Sequence, residues 1–217
     1  MKCYLIRHSM TAGNLKKRYI GRTDEPLCEE GILLLKERVY PAVQRVYVSP
    51  MRRCIQTAKI IYPGQQAVII EEFRECDFGL FENKNYKELA HLSQYQEWVD
   101  SGGTLPFPEG ESKEAFAKRC IEGFKRTYAQ CQKEHIDAAA FVVHGGTIMS
   151  IMEQYAYPKK NYYDYHTGNG EGYELVMEDA DSGGGRICAG SYPGRPGMAV
   201  PSGENHRTSD FRVGKNY

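Results

Sequence analysis

A short apolar run close to the N-terminus, residues 3–6, stops abruptly at Arg7 and His8 and is followed by Gly13. A continuous run of this length, with β-branched and aromatic members, predicts a buried strand that ends in a polar loop. In open α/β sheets, the loops at the carboxyl ends of the strands form the ligand crevice. The run therefore places a cation and an imidazole where chemistry usually occurs, although an Arg-His dipeptide alone is more often a surface pair without a role.

A second stretch, residues 138–151, has the same design. Its apolar strand ends at His144, and Gly145 follows before a helix that Thr147 is predicted to open. A single histidine after a strand is more often structural than catalytic. Two predicted strands that each end in a histidine instead favour one shared site.

Residues 45–62 read as another strand, the second in chain order, followed by a helix. Ser49 is a ready N-cap, and Pro50 suits the first helical position. Arg52 and Arg53 would then lie in the first helical turn, where the helix dipole disfavours positive charge unless an anion is bound nearby. Without other signals, either residue is equally well explained as an ordinary surface arginine.

The remaining stretches predict further regular structure. Residues 68–70 and 173–177 read as strands, and residues 84–134 as a mostly helical cap segment. Core packing is the commoner role for aromatic residues in such a segment. Among them, Trp98 and Phe107 are the candidates for contact with a substrate.

The length of the chain and its 41% hydrophobic content suit one domain with a sizeable core. We predict that residues 1–179 form this domain. Residues 180–217 are a Gly/Pro-rich extension, a composition typical of irregular structure. If ordered, the extension would pack on its own domain or on a partner subunit, so a homodimer is one expectation.

The charge balance limits the kinds of partner. Twenty-eight basic residues cancel 28 acidic ones, so no net field recruits nucleic acid or an anionic membrane, and a small metabolite is the expected partner. The N-terminal apolar run is too short for a signal peptide or a membrane span. An odd number of cysteines without a C-x-x-C pair indicates reduced thiols, so we expect a cytoplasmic protein.

Arg7, His8, Thr11 and Asn14 fit the pattern R-H-x-x-T-x-x-N. This pattern resembles the R-H-G-x-T-x-x-N signature of the histidine phosphatase superfamily, the phosphoglycerate mutase-like proteins. The resemblance implies an α/β fold with three α/β/α layers and a mostly parallel central sheet. Ser9 departs from the signature, since it stands where the family has glycine.

Three further motifs carry the resemblance along the chain. The stretch S-P-M-R-R-C-I-Q-T-A resembles the family motif that supplies a second phosphate-binding arginine, which implies that role for Arg53. The stretch F-R-E-C-D-F-G-L-F-E-N matches Glu75 to the proton donor. V-V-H-G-G places His144 in the site and Gly145 close to the phosphate.

A loop similar to the family's G-x-x-D-x-P-L-T-x-x-G follows the first motif. It implies substrate-side positions for Gly21 and Arg22. Cys28 takes the position of the usual threonine. Because a thiol is a poorer hydrogen-bond acceptor than a hydroxyl, we expect a helix that starts there to be capped more weakly, by up to about 1 kcal/mol.

The resemblance implies metal-independent cleavage of a phosphomonoester. His8 would attack phosphorus and form a phosphohistidine, and Glu75 would protonate the leaving alkoxide. Phosphate oxygens would contact a set of side chains that carry charge or donate hydrogen bonds: Arg7, Arg53, His144 and Asn14. The sequence contains no H-E-x-x-H or Cys-His ligand spacing, so no metal or other cofactor is expected.

Several functions stay open at this stage. The G-x-x-D-x-P-L and F-P-E-G-E-S stretches look most like α-ribazole phosphatases, which favours hydrolysis of a small metabolite such as α-ribazole phosphate. Phosphoglycerate mutase is the alternative. The resemblance favours hydrolysis over this alternative, because the interval between Glu75 and His144 is compact and the mutase branch of the family usually carries a longer insertion there. A non-catalytic phospholigand-binding protein would use the same scaffold. A dinucleotide-binding fold is set aside because no G-x-G-x-x-G follows the first strand.

Overall fold

The computed structural model describes residues 1–177 and the backbone of residues 189–192. Its strands are β1 (Lys2–Arg7), β2 (Arg45–Val48), β3 (Ala67–Ile69), β4 (Ala138–Val143), β5 (Gly172–Val176) and β6 (Ala189–Tyr192). They form one sheet in the order β3-β2-β4-β1-β5-β6. The strands from β3 to β1 in this order are parallel, and β5 and β6 pair antiparallel with their neighbours.

The α-helices are α1 (Ala12–Leu15), α2 (Glu29–Lys36), α3 (Arg52–Ile61), α4 (Tyr86–Leu89), α5 (Ser93–Asp100), α6 (Lys113–Lys133) and α7 (Gly145–Tyr155). None of them, in the part of the chain that the structure describes, combines the length and the apolar character that crossing a bilayer requires.

Both faces of the sheet are covered by helices. Along β1, Cys3 and Leu5 belong to one apolar cluster, and Tyr4 and Ile6 belong to another, because successive side chains of a strand point to opposite faces. The first cluster includes buried residues of α6 and α7, and the second includes residues of α3. The predicted three-layer α/β/α fold with a mostly parallel sheet is therefore confirmed.

Two predicted helix starts are wrong. Ser49 is not the N-cap of α3, which begins at Arg52 with Met51 as its N-cap. The Ser49 hydroxyl bonds to the His144 ring at 2.7 Å and accepts only a longer hydrogen bond, 3.4 Å, from the amide of Met51. Thr147 does not open α7. That helix begins two residues earlier, because the carbonyl of His144 already accepts the first helical hydrogen bond.

The start of α2 agrees with its prediction. Cys28 is the N-cap of this helix and makes no side-chain cap hydrogen bond. Its thiol donates to the carbonyl of Met10 at 3.3 Å.

The predicted cap segment, residues 84–134, contains two kinds of helix. The short helices α4 and α5 belong to a separate aromatic cluster that includes Phe81 and Trp98, whereas Phe124 of α6 belongs to the cluster on the sheet. At the other end of the chain, β6 follows β5 and adds a strand from the segment 180–217. The rest of that segment lies outside the described residues, so its division from residues 1–179 stays a prediction.

Candidate active site

Three neighbouring parallel strands end at the same edge of the sheet and bring the site residues together. β1 ends at Arg7 and is followed by His8, β2 is followed by Ser49, and β4 is followed by His144. The rings of His8 and His144 lie edge to face, with their centroids 5.2 Å apart. The predicted meeting of the two histidines is what this sheet order produces.

His8 is held in one tautomer. Its Nδ1 lies 2.7 Å from the carbonyl oxygen of Ser9, which can only accept a hydrogen bond, so Nδ1 carries the proton. Burial lowers the pKa of His8 well below 6.5, and the positive charges of Arg53 and Arg7 lower it further. The imidazole is therefore neutral, and its Nε2 keeps a lone pair.

The serine at the family's glycine position is built into the loop. Ser9 is fully buried, its hydroxyl donates to the carbonyl of Gly31 at 2.7 Å, and its amide donates to the hydroxyl of Thr57 at 3.0 Å. Since the side chain satisfies its own hydrogen bond, the substitution adds a tether to the loop that carries His8.

Arg7 lies against the start of α7. One Nη donates to the carbonyl of Thr167 at 2.6 Å, whereas its buried Nε has no hydrogen-bond partner among the described residues. A Cβ added at Gly145 would lie 3.5 Å from the guanidinium carbon, so the first residue of α7 contacts this arginine. No side chain caps that helix, and a helix N-terminus beside a guanidinium is well suited to bind an anion.

Arg53 is the largest fully buried side chain of the described residues. Its two Nη atoms donate to the carbonyls of Ile20, Gly21 and Thr23 at 2.9–3.2 Å, and its Nε has no described partner. This geometry makes Arg53 the support of the loop around residues 20–23. Of its five N–H groups, only the Nε–H and one Nη–H are left for an anion, so most of the donors of this predicted phosphate ligand hold the loop instead.

Gly21 and Arg22 are not brought to the site pocket, so their predicted substrate contact is not supported by the geometry. A Cβ at Gly21 would lie 2.0 Å from the carbonyl oxygen of Cys76, which explains the glycine as a close backbone approach. Arg22 is exposed and pairs with Asp77 at 3.1 Å. Glu82 accepts from the Gly21 amide at 2.9 Å and so helps to hold the loop.

Glu75 and His144 meet inside the protein. Oε2 of Glu75 lies 3.7 Å from Nδ1 of His144, and Oε1 accepts from the amide of Cys76 at 2.9 Å. Burial raises the pKa of Glu75. Burial, Arg53 and His8 lower the pKa of His144, whose Nε2 lies 2.7 Å from the hydroxyl of Ser49. His144 is therefore a neutral, fully buried neighbour of both His8 and the carboxyl group.

Asn14 lies in the short helix α1, which follows His8. Its side-chain oxygen accepts from the amide of Thr11 and from Nδ2 of Asn169, at 3.2 and 3.3 Å. Asn169 also donates to the carbonyl of His8 at 3.0 Å. Sequence reasoning missed Asn169, although Asn169-Gly170 is a turn signal that could have drawn attention to this loop.

One pocket collects most of the predicted site. Arg7, His8, Asn14, Glu75 and Gly145 line it, whereas Arg53 and His144 do not. The remaining wall is rich in aromatic side chains, among them Trp98 and Phe107, the two candidates for substrate contact. The described residues contain no group of three or more His, Cys, Asp or Glu side chains that could hold a metal ion.

The profile of the histidine phosphatase superfamily (branch 1) matches residues 3–183. The chain belongs to this superfamily. A relative from Hydrogenobacter thermophilus, named "Putative phosphoserine phosphatase 2", is 31% identical over 190 residues, which are 83% of this chain and 92% of the relative. The adenosylcobalamin/alpha-ribazole phosphatase of Salmonella typhimurium is 28% identical over 61% of this chain and 70% of its own length.

Solved structures agree with the fold of this histidine phosphatase. The alpha-ribazole phosphatase from Shigella flexneri has a TM-score of 0.74 at 21% identity and covers 87% of this chain and 95% of its own. A phosphoserine phosphatase mutant from Entamoeba histolytica, solved with phosphoserine, has a TM-score of 0.67 at 22% identity, over 86% and 94% of the two chains. The family and the phosphatase relatives identify the chain as an enzyme, a phosphoric monoester hydrolase.

Arg119 of α6 is a further residue near the site that sequence reasoning missed. Its guanidinium donates to the carbonyls of Glu72, Arg74 and Glu75 at 2.5–3.1 Å. It also forms two hydrogen bonds to the carboxylate of Glu111, at 2.7 and 2.8 Å. Arg119 therefore holds the backbone that carries Glu75.

Proposed function

We propose that this histidine phosphatase hydrolyses a small phosphorylated metabolite without a metal, through a phosphohistidine on His8. The observation that carries the proposal is the neutral His8 ring, whose Nδ1 is bound to a carbonyl and whose Nε2 retains its lone pair beside Arg7. A nucleophile in this state needs no base to activate it.

In the first step, Nε2 of His8 forms a bond to phosphorus as the bond from phosphorus to the ester oxygen breaks. Glu75 gives its proton to the departing alkoxide, so an alcohol leaves. Charge on the phosphoryl oxygens is stabilised by Arg7, by the N-terminus of α7 and by the Nε–H of Arg53. The raised pKa of the buried Glu75 favours the protonated form that this step requires.

In the second step, water attacks the phosphohistidine and the phosphorus–nitrogen bond breaks. The carboxylate left by the first step accepts the proton of that water, which restores the acid form of Glu75. Inorganic phosphate leaves, and His8 is neutral again. His144 contacts Glu75 at 3.7 Å and is proposed to orient this carboxyl group.

The substrate is proposed to be a small phosphorylated metabolite, with α-ribazole phosphate and phosphoserine as candidates from the names of the relatives. Phosphoglycerate mutase activity is the alternative outcome. The two phosphatase relatives and the compact segment between Glu75 and His144 support hydrolysis.

We expect phosphate release from p-nitrophenyl phosphate to persist in excess chelator, because guanidinium groups and a helix N-terminus supply the positive charge at the site. The measurement is inorganic phosphate released before and after metal stripping. With 3-phosphoglycerate, only loss of phosphate is expected. Activity that returns only with added metal, or isomerisation of 3-phosphoglycerate, would contradict the respective part of the proposal.

Arg119→Lys tests the support of Glu75. A lysine keeps the charge but cannot make the five hydrogen bonds of the guanidinium, so the carboxyl group loses its fixed position. We expect kcat for alkyl phosphates to fall by about tenfold, and kcat for p-nitrophenyl phosphate to fall less, because a nitrophenolate needs little help from an acid.

Arg126→Lys is the matched control for this variant. Arg126 lies on the same helix and pairs with the side chain of Glu72, but it is exposed. Its replacement should leave both rates within about twofold of the wild type, as for an exposed ion pair. An equal loss with both substrates in Arg119→Lys would show that Arg119 supports the fold rather than the acid.

We also propose the cytoplasm as the compartment of the enzyme, because the six cysteines of the described residues are free and none forms a disulfide. A homodimer and the absence of nucleic-acid partners stay predictions from the composition.

A further inference from the structure

The pocket wall beyond the phosphate-binding residues is built from aromatic rings. They come from separate segments of the chain: Tyr19, Phe78, Trp98, Phe107, Phe116 and Tyr163. Phe78, Phe107 and Tyr163 are only partly buried. The part of the substrate that leaves as an alcohol would meet these rings.

The rings hold one another in position. Trp98 and Phe107 stack with centroids 5.1 Å apart, and Phe78 meets Phe107 edge to face at 5.0 Å. Gly103, with φ +72°, lets its loop pass between two of the rings, since a Cβ there would lie 2.5 Å from the hydroxyl of Tyr163 and 3.2 Å from Trp98. Because these rings are already held in place by one another, they can bind a flat group with little loss of side-chain entropy.

The charges of the lining limit the substrate further. Glu75 is the only carboxylate among the described residues of the pocket wall, and it is already assigned to proton transfer. The remaining charged side chains, apart from Arg7, are Arg18 and Lys113, and Lys113 lies 4.0 Å above the ring of Tyr162. A substrate ammonium group would therefore meet cations and find no free anion.

We infer that the alcohol part of the substrate carries an aromatic or heteroaromatic ring without a positive charge, which packs against Phe78, Trp98 and Phe107. The inference rests on the proposed phosphatase function and names its substrate class. A substrate ring would contribute to binding in two ways, through the burial of its apolar area and through its contacts with the aromatic rings of the pocket. Phosphoserine lacks the ring and brings an ammonium group.

The test compares kcat/KM for benzyl phosphate, ethyl phosphate and L-phosphoserine, which all release a primary alcohol. We expect benzyl phosphate to exceed each of the others by at least about tenfold. In Phe107→Leu and Phe78→Leu, the benzyl-to-ethyl ratio should fall at least about threefold. Tyr128→Leu is the matched control, because this ring packs on Phe124 outside the pocket, and its ratio should equal that of the wild type.

The outcomes separate this inference from the proposed function. The aromatic substrate class is overturned if the wild-type enzyme releases phosphate with a benzyl-to-ethyl ratio of kcat/KM near one, or if it prefers L-phosphoserine. Either result leaves the proposed phosphatase function standing. No release from any ester and no phosphate on His8 overturns the proposed function itself. Thermal unfolding of each variant identifies any that fails to fold, and the wild-type ratios decide the question without the variants.

Discussion

His8→Ala is expected to lower phosphate release by at least about 10⁴-fold and to abolish the acid-labile phosphoenzyme. Alanine removes the Nε2 that is proposed to attack phosphorus, so the ester can react only by direct attack of water. Steady-state assays with p-nitrophenyl phosphate give the rate. Brief incubation with a radiolabelled phosphate ester, followed by quenching in denaturant, gives the phosphoenzyme.

His91→Ala is the control for this variant. His91 is exposed and does not line the pocket, so its replacement should change neither rate nor labelling. Acid-labile label that persists in His8→Ala would assign the nucleophile to another residue. Normal substrate binding with no turnover in the wild-type enzyme would instead favour the non-catalytic phospholigand-binding protein.

Glu75→Gln is expected to lower kcat for alkyl phosphates by about 10²- to 10⁴-fold, the usual contribution of a general acid. Glutamine preserves the shape of the side chain but cannot transfer the proton. The decrease in kcat with p-nitrophenyl phosphate should be much smaller, because its leaving group departs as a stable anion. The measurement is kcat for a series of esters that differ in the acidity of the alcohol.

The same variant changes the dependence on pH. The buried Glu75 has a raised pKa, so cleavage of alkyl phosphates should decline as pH rises through that value and the proton is lost. This decline should be absent in Glu75→Gln. His8 has a pKa well below 6.5, so its neutral form should still attack at pH values below 6.5.

Glu71→Gln is the control, since Glu71 is exposed and pairs with Arg74 on the surface. It should keep both the rate and the pH profile of the wild type. Equal losses across the ester series in Glu75→Gln would reject the assignment of the acid.

Much of the scaffold could be predicted from the sequence. The apolar runs before His8 and His144 form β1 and β4, which are neighbours in the sheet, because strand formation and termination are marked by local composition. The pattern around Arg7 predicted the pocket side chains His8 and Asn14. The profile match over residues 3–183 confirms the family that this pattern resembles.

Predictions that depended on hydrogen-bond partners were weaker. Ser49 has the residue type of a cap, yet its hydroxyl bonds to His144, which is 95 residues away. Arg53 has the position of a phosphate ligand, yet most of its donors hold the loop at residues 20–23. Partners of this kind lie far apart in the chain, so no local pattern reveals them.

The sequence by itself determined the order of strands and helices, the loop that carries Arg7 and His8, and the kinds of chemical group available. The tertiary structure decided the tautomer of His8, the contact between Glu75 and His144 and the support that Arg119 gives to residues 72–75. It also gathered the aromatic rings of the pocket from distant segments. The physical reason is that periodicity and turn signals act over a few residues, whereas burial and hydrogen bonding act between residues that only folding brings together.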